Sequence, residues 1–371
     1  MRHGLFYHAW VLFSLCSSMR HAFFPGFSLL RTLALSAGLL LHLAAPAAAQ
    51  GSGAPFKPYA LQPEQLALVV NDADPASVAT AELYRQQHHV PEQNLVHIRL
   101  PGKPAKIDAA TFRFLRQGVM AQLKPEIQAL LLVWSAPYAV ECNSITSAMT
   151  FGFEPQICKN TCANSRPNPY FDSESTTPYT DFGIRPAMLL PVDDAELAKA
   201  VIARGVQAGD SLREGTAYYL RTSDRARNTR VPGFPPAANV PQKKLHIRTL
   251  QQDALEGAAD IIIYQTGTPT VKKLETIRFL PGALADHLTS FGGDLQGRQQ
   301  MSVLRWLEAG ATASYGTVSE PCAHPQKFPH PTILLKHYLA GATALEAYLK
   351  SVSWPAQGLL VGDPLATPYR R

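Results

Sequence analysis

Leu66 to Val70 reads LALVV, and Asn71-Asp72 follows before Asp74-Pro75 opens a stretch of helical spacing through about Gln87. Alternate side chains of a strand point to opposite faces, so an uninterrupted apolar run is a strand buried on both sides. Asp74 offers an N-cap acceptor and Pro75 a preset first-turn φ. Strand, turn and helix therefore succeed one another at the start of the globular chain.

The same beat continues outward. Leu95 to Leu100 is a second strand, Asp108 to Leu123 sets Phe112, Leu115, Val119 and Leu123 on one helical face, and Ala129 to Trp134 (ALLLVW) is another buried strand. Ala187 to Leu190, Ala217 to Leu220, Ile261 to Tyr264, a segment near Arg278 to Leu280, Thr312 to Val318 and Leu359 to Val361 extend the series. Helical patterns run from Gln299 to Glu308, around Pro331 to Leu339 and from Thr343 to Ser351; another begins at Asp193 and Glu196, read as a capping box, and stops at Gly205. Continuous apolar strands alternating with helices predict an α/β fold, a mainly parallel sheet with helices on both faces. Residues 138 to 182 break the rhythm with Asn, Ser, Thr, Pro and three cysteines, and read as one long cysteine-containing insertion.

The first 49 residues contain Arg2, Arg20 and Arg31 and no other Lys, Arg, Asp or Glu. An apolar run closing on Ala47-Ala48-Ala49 predicts a signal peptide at 1–49, with Met19 an alternative start. The run is too short for a spanning helix, so no stable membrane anchor is expected after cleavage. Residues 50–371 then read as a single α/β domain, with the Pro-rich stretch Val231 to Gln242 separating two subdomains at about 60–225 and 245–371. Loss of three arginines and no acid leaves 31 basic against 28 acidic residues, net +3. No stripe of Lys and Arg interleaved with aromatics occurs, which argues against nucleic-acid binding.

Cys142, Cys158, Cys162 and Cys322 remain after cleavage, and an even count in an oxidising compartment favours disulfides. Proximity in sequence suggests Cys158 with Cys162, leaving Cys142 with Cys322, among three possible connectivities. Ligands of an open parallel sheet bind beyond the carboxyl ends of its strands. Asn71, Asp72, Cys142, Asp224, Gln265, Thr266, Asp286, His287, Glu320, Cys322 and Asp363 all follow strands in this order, so they are expected to gather along one edge.

Three chemistries compete there. Cys322 paired with His287 would make a thiolate nucleophile and its base, with Asp286 beside them, whereas the structural alternative is a disulfide at Cys322 and a hydrogen-bonded His287. Asp286 and His287, adjacent on an extended chain, face opposite ways, so one does not orient the other. A metal site from His287, Asp286, Asp224 and Asp72 lacks any recognised ligand spacing, and neither a metal nor a cofactor is expected. Asp224, Glu320, Thr266 and Asn143 are candidate contacts for a peptide, protein or glycan at the edge. Arg225, Arg227 and Arg230 are able to hold a carboxylate or phosphate, although short charge runs usually mark solvated loops.

The segments ECNSITSA (141–148), YYLRTSD (218–224), PGALADHLTSFGG (281–293), YGTVSEPC (315–322) and VGDPLATPY (361–369) resemble an uncharacterised exported bacterial family of genomes that encode exosortase. The order of elements is more distantly similar to the catalytic domain of gingipain-type cysteine peptidases. That likeness implies a caspase-like fold and a peptidase-like protein, or a catalytically inactive binding or assembly factor on the same scaffold. At the places where those enzymes carry His-Gly and the nucleophilic Cys, this chain reads Gln265-Thr266-Gly267 and Ala285-Asp286-His287.

Overall fold

A computed structural model describes residues 60–209 and 212–370; the expected signal peptide lies outside them. The strands are β1 (Leu66–Asn71), β2 (Leu95–Ile98), β3 (Lys106–Ile107), β4 (Ala129–Val133), β5 (Ala139–Val140), β6 (Asn143–Ser144), β7 (Ala187–Leu190), β8 (Gly215–Arg221), β9 (Ala238–Val240), β10 (Leu245–Gln251), β11 (Ile261–Gly267), β12 (Phe279–Leu288), β13 (Ala313–Thr317) and β14 (Gly358–Gly362). The helices are α1 (Pro75–His88), α2 (Ala109–Met120), α3 (Ile145–Phe151), α4 (Pro155–Lys159), α5 (Pro178–Phe182), α6 (Ala195–Gln207), α7 (Leu304–Ala309), α8 (Pro331–Ala340) and α9 (Ala344–Lys350). None of the described helices is long and apolar enough to cross a membrane.

The fold is α/β, built on one large, mostly parallel sheet in the order β2-β1-β4-β7-β14-β13-β12-β11-β8-β10-β9. Every residue of β1, β4, β7, β13 and β14 is buried, which requires cover on both faces. Asp74 and Asp108 cap α1 and α2 as their positions predict, accepting from the amides of Ala76 and Thr111. For α6 the cap is Asp194 rather than Asp193, and Gly205 lies inside the helix instead of ending it. The reason is packing: a Cβ at Gly205 would stand 1.8 Å from Asp363 Oδ2, so the bare backbone admits that carboxylate.

Direction along the sheet corrects the expectation of one polar edge. β2, β1, β4, β7 and β14 run parallel, β13 lies antiparallel to β14, and β12, β11, β8 and β10 follow β13. Two parallel blocks thus meet head to tail, and their carboxyl ends point to opposite edges. Asn71, Asp72 and Asp363 fall on one edge, while Asp224, Thr266 and Glu320 fall on the other. The blocks also cross the Pro-rich connector, since β8 precedes it yet sits in the later block and β14 closes the chain yet sits in the earlier one.

Candidate functional site

β12 is longer than its apolar signal, running through Asp286 and His287, so both side chains project from inside a strand rather than beyond its end. Gln265 of β11 lies in register with Tyr219 of β8 on one side and Asp286 on the other, placing all three in one row on one face. Asp286 is buried, with Arg230 Nη1 2.5 Å from Oδ1 and Gln265 Nε2 donating to Oδ2 at 2.7 Å. Arg230 also donates to the carbonyls of Thr266 and Pro329, with the Phe328 ring 5.8 Å from its guanidinium carbon. Burial pushes the Asp286 carboxyl upward, and the guanidinium and Gln265 amide pull it back. The carboxylate that the RARNTR loop holds is therefore the protein's own, and Arg230, expected on a solvated loop, is a core residue.

His287 faces the opposite way. The indole Nε1–H of Trp306 has only a proton to offer and donates to His287 Nδ1 at 2.9 Å, so the imidazole proton sits on Nε2, which donates to the Met301 carbonyl at 3.1 Å. The ring is wholly buried, and desolvation holds its pKa down to about 3. A neutral imidazole with both nitrogens engaged has no lone pair left to take a substrate proton.

Cys322 is bonded to Cys162, and Cys142 to Cys158. This corrects the pairing drawn from sequence proximity: Cys158 lies on α4 beside Cys142, whose amide approaches its sulfur at 3.4 Å, while Cys162 beyond the helix reaches the loop after β13. Lys327, also buried, adds a second tie from that loop by donating to the Thr161 carbonyl at 2.5 Å, and burial holds its pKa down to about 8. With its sulfur in a disulfide, Cys322 offers no thiolate.

Of the remaining candidates, most are also committed. Asp224 caps a short turn and pairs with Arg227 at 2.8 Å, and Glu320 accepts from the Cys322 amide at 2.7 Å. Thr266 is buried with its Oγ1 unpartnered. Asn143 exchanges hydrogen bonds with the backbone of Glu154, fixing the insertion instead of facing a ligand. The glycines of FGG serve close packing, since Gly293 donates to the Thr317 carbonyl and a Cβ at Gly316 would meet Gly292 at 2.6 Å. Asp72 pairs with exposed His97, 2.8 Å away. On the other edge Asp363 is fully buried, accepting from Tyr84 at 2.9 Å and lying 2.6 Å from His88 Nε2. Among the described residues no three His, Cys, Asp or Glu side chains converge as a metal-binding group.

Open space is found, among other places, where the stapled insertion meets α2 and α3. A cleft of about 250 Å³ is lined by Arg116, Ser147, Glu154, Arg166 and Pro355, among others, and a wider trough of about 850 Å³, with Phe112, Met120, Phe153 and Pro155 along it, shares Arg116 and Gly152 with the first. Arg116 donates from Nε to the Met149 carbonyl, and no described carboxylate pairs with it. Its pKa is lowered by burial and by the nearby charge of Arg185. Glu154 is already engaged by Arg166, through the backbone amide at 3.0 Å and the guanidinium at 3.6 Å. Ser147 Oγ is buried without a partner. Sequence pattern passed over these residues because Arg116 looks like any polar position of an amphipathic helix; its one legible neighbour was the insertion itself. No protein-family model, curated protein or solved structure matches this chain.

Proposed function

We propose that this is an exported binding or assembly factor, acting in the exosortase-linked surface pathway that its resemblance implies, and that its gingipain-like scaffold holds a ligand without hydrolysing it. One observation carries the proposal: His287 and Cys322, the pair that a cysteine-peptidase mechanism needs, are spent inside the protein on Trp306, Met301 and Cys162. Two disulfides fit an oxidising compartment, in keeping with secretion or a periplasmic place. The cleft beside the insertion supplies what binding requires, an apolar wall with a few convergent polar groups.

The test is a thiol titration of the purified mature protein, residues 50–371, which carries four cysteines, together with incubation against a peptide library. The expected outcome is no free thiol before reduction, four after it, and no cleavage. Cleavage abolished by His287→Ala or Cys322→Ser in a variant that keeps its fold would overturn the proposal in favour of a peptidase.

A further inference from the structure

We infer that the joined cleft and trough between α2 and the disulfide-bonded insertion form a site for the carboxyl terminus of an apolar peptide, its carboxylate on Arg116. The inference rests on the binding role proposed above and names its ligand. Charge argues for an anion. Arg116, Arg166 and Arg185 crowd this corner, and the one acid among the residues lining the cleft, Glu154, is taken by Arg166. Arg185 is spent on the carbonyls of Ile127 and Lys124, with its guanidinium 3.2 Å above the Tyr179 ring. Arg116 uses only its Nε, on the Met149 carbonyl, and has no described carboxylate partner. A half-buried guanidinium without a counter-ion is costly, and a carboxylate arriving there recovers charge-assisted hydrogen bonds. Ser147, whose buried Oγ lacks a partner, lines the same cleft and offers one more donor.

Size argues for a peptide over a single acyl chain. At roughly 30 Å³ per non-hydrogen atom, about the share of one water in the liquid, the 850 Å³ trough has room for a ligand of about three apolar residues. A ten-carbon acyl chain would fill less than half of it. Phe112, Met120 and Phe153 supply the apolar surface, and Met adapts to side chains of varied shape. Arg113 and Gln117, exposed along the trough, are placed to meet peptide carbonyls. Terminal-carboxylate capture beside an apolar groove is an established mode of peptide recognition.

The experiment is fluorescence polarisation with a labelled Gly-Leu-Val-Leu tetrapeptide, prepared as the free acid and as the C-terminal amide, with decanoate as competitor. The acid is expected to bind at least tenfold more tightly than the amide, because charged hydrogen bonds are lost with the carboxylate. Arg116→Gln should bring acid binding down to the level of the amide, and Ser147→Ala should reduce the difference between them. Thermal unfolding of each variant checks that the fold is kept; if Arg116→Gln unfolds, the acid-to-amide ratio on the native protein decides by itself. Equal binding of acid and amide, absence of binding by both, or displacement by decanoate at lower concentration than unlabelled peptide acid would each overturn the inference. Hydrolysis of the peptide would instead overturn the binding role on which it rests, so the two failures are distinct.

Discussion

The state of His287 is the point on which the non-catalytic reading turns, and acid exposes it. Burial holds the folded imidazole at about 3, against an ordinary value of 6.5. On acidification the unfolded chain takes up the proton first, so stability owed to the neutral ring is fully present above about pH 6.5 and drains away as pH falls toward 3. Each pH unit is worth about 1.36 kcal/mol once the unfolded imidazole is protonated, less near pH 6.5 where it is half so, which amounts to about 1.6 kcal/mol between pH 6.5 and 5. His287→Gln is the control, because a Gln amide is able to accept from Trp306 and donate to Met301 without titrating. Guanidinium unfolding of the oxidised proteins at the two pH values gives the comparison, in which groups common to both cancel. The native protein should lose about 1.6 kcal/mol more than the variant. Parallel losses would mean that position 287 is solvated or already charged, and would return His287 to the list of available bases.

Two other perturbations probe polar residues that pattern alone had marked as a site. Asp286→Leu leaves the Arg230 guanidinium buried and unpaired and should cost about 3–5 kcal/mol, while adding Arg230→Met should restore much of that loss; equilibrium unfolding of both variants measures it, and a single-variant cost below about 1 kcal/mol would contradict a sealed ion pair. Gly205→Ala should destabilise by about 3 kcal/mol or more despite the better helix propensity of Ala, because the new methyl expels Asp363 from Tyr84 and His88, whereas Gly118→Ala on α2, with open space around it, should stabilise by up to about 1 kcal/mol; melting temperatures moving in the same direction would refute the packing argument at Gly205.

Much of the fold was legible because its strands are short and apolar on both faces. LALVV and ALLLVW each announce a doubly covered strand, and Asp-Pro or Asp at a helix start announces the cap that is found there. Strand direction was not legible. A buried run looks the same whether the chain arrives parallel or antiparallel, and the reversal at β13 and β14 depends on how residues 318–357 turn back through α8 and α9. One reversal was enough to send Asp363 to the edge opposite Glu320. β12 was misjudged because Pro281-Gly282 interrupts its apolar run after Leu280, and only the neighbouring strands show that the ladder continues through Asp286 and His287 as far as Leu288.

The same reasoning explains why polar residues at strand ends proved a poor guide to a site. A charge marks a binding place only when the protein has not already answered it, and sequence shows the charge without the answer. Asp286 is answered by Arg230, 56 positions earlier, Asp363 by Tyr84 and His88, more than 270 positions earlier, and Cys322 by Cys162 across 160 residues. Each of those pairings removes a candidate and adds a long-range tie to the fold. Arg116 shows the reverse: unremarkable on an amphipathic helix, it gains significance because the folded chain brings Arg185 and the Arg166–Glu154 pair near it and no acid of its own. The insertion that broke the α/β rhythm builds that place, since Cys142–Cys158 and the Asn143–Glu154 hydrogen bonds hold residues 152–155 against α2.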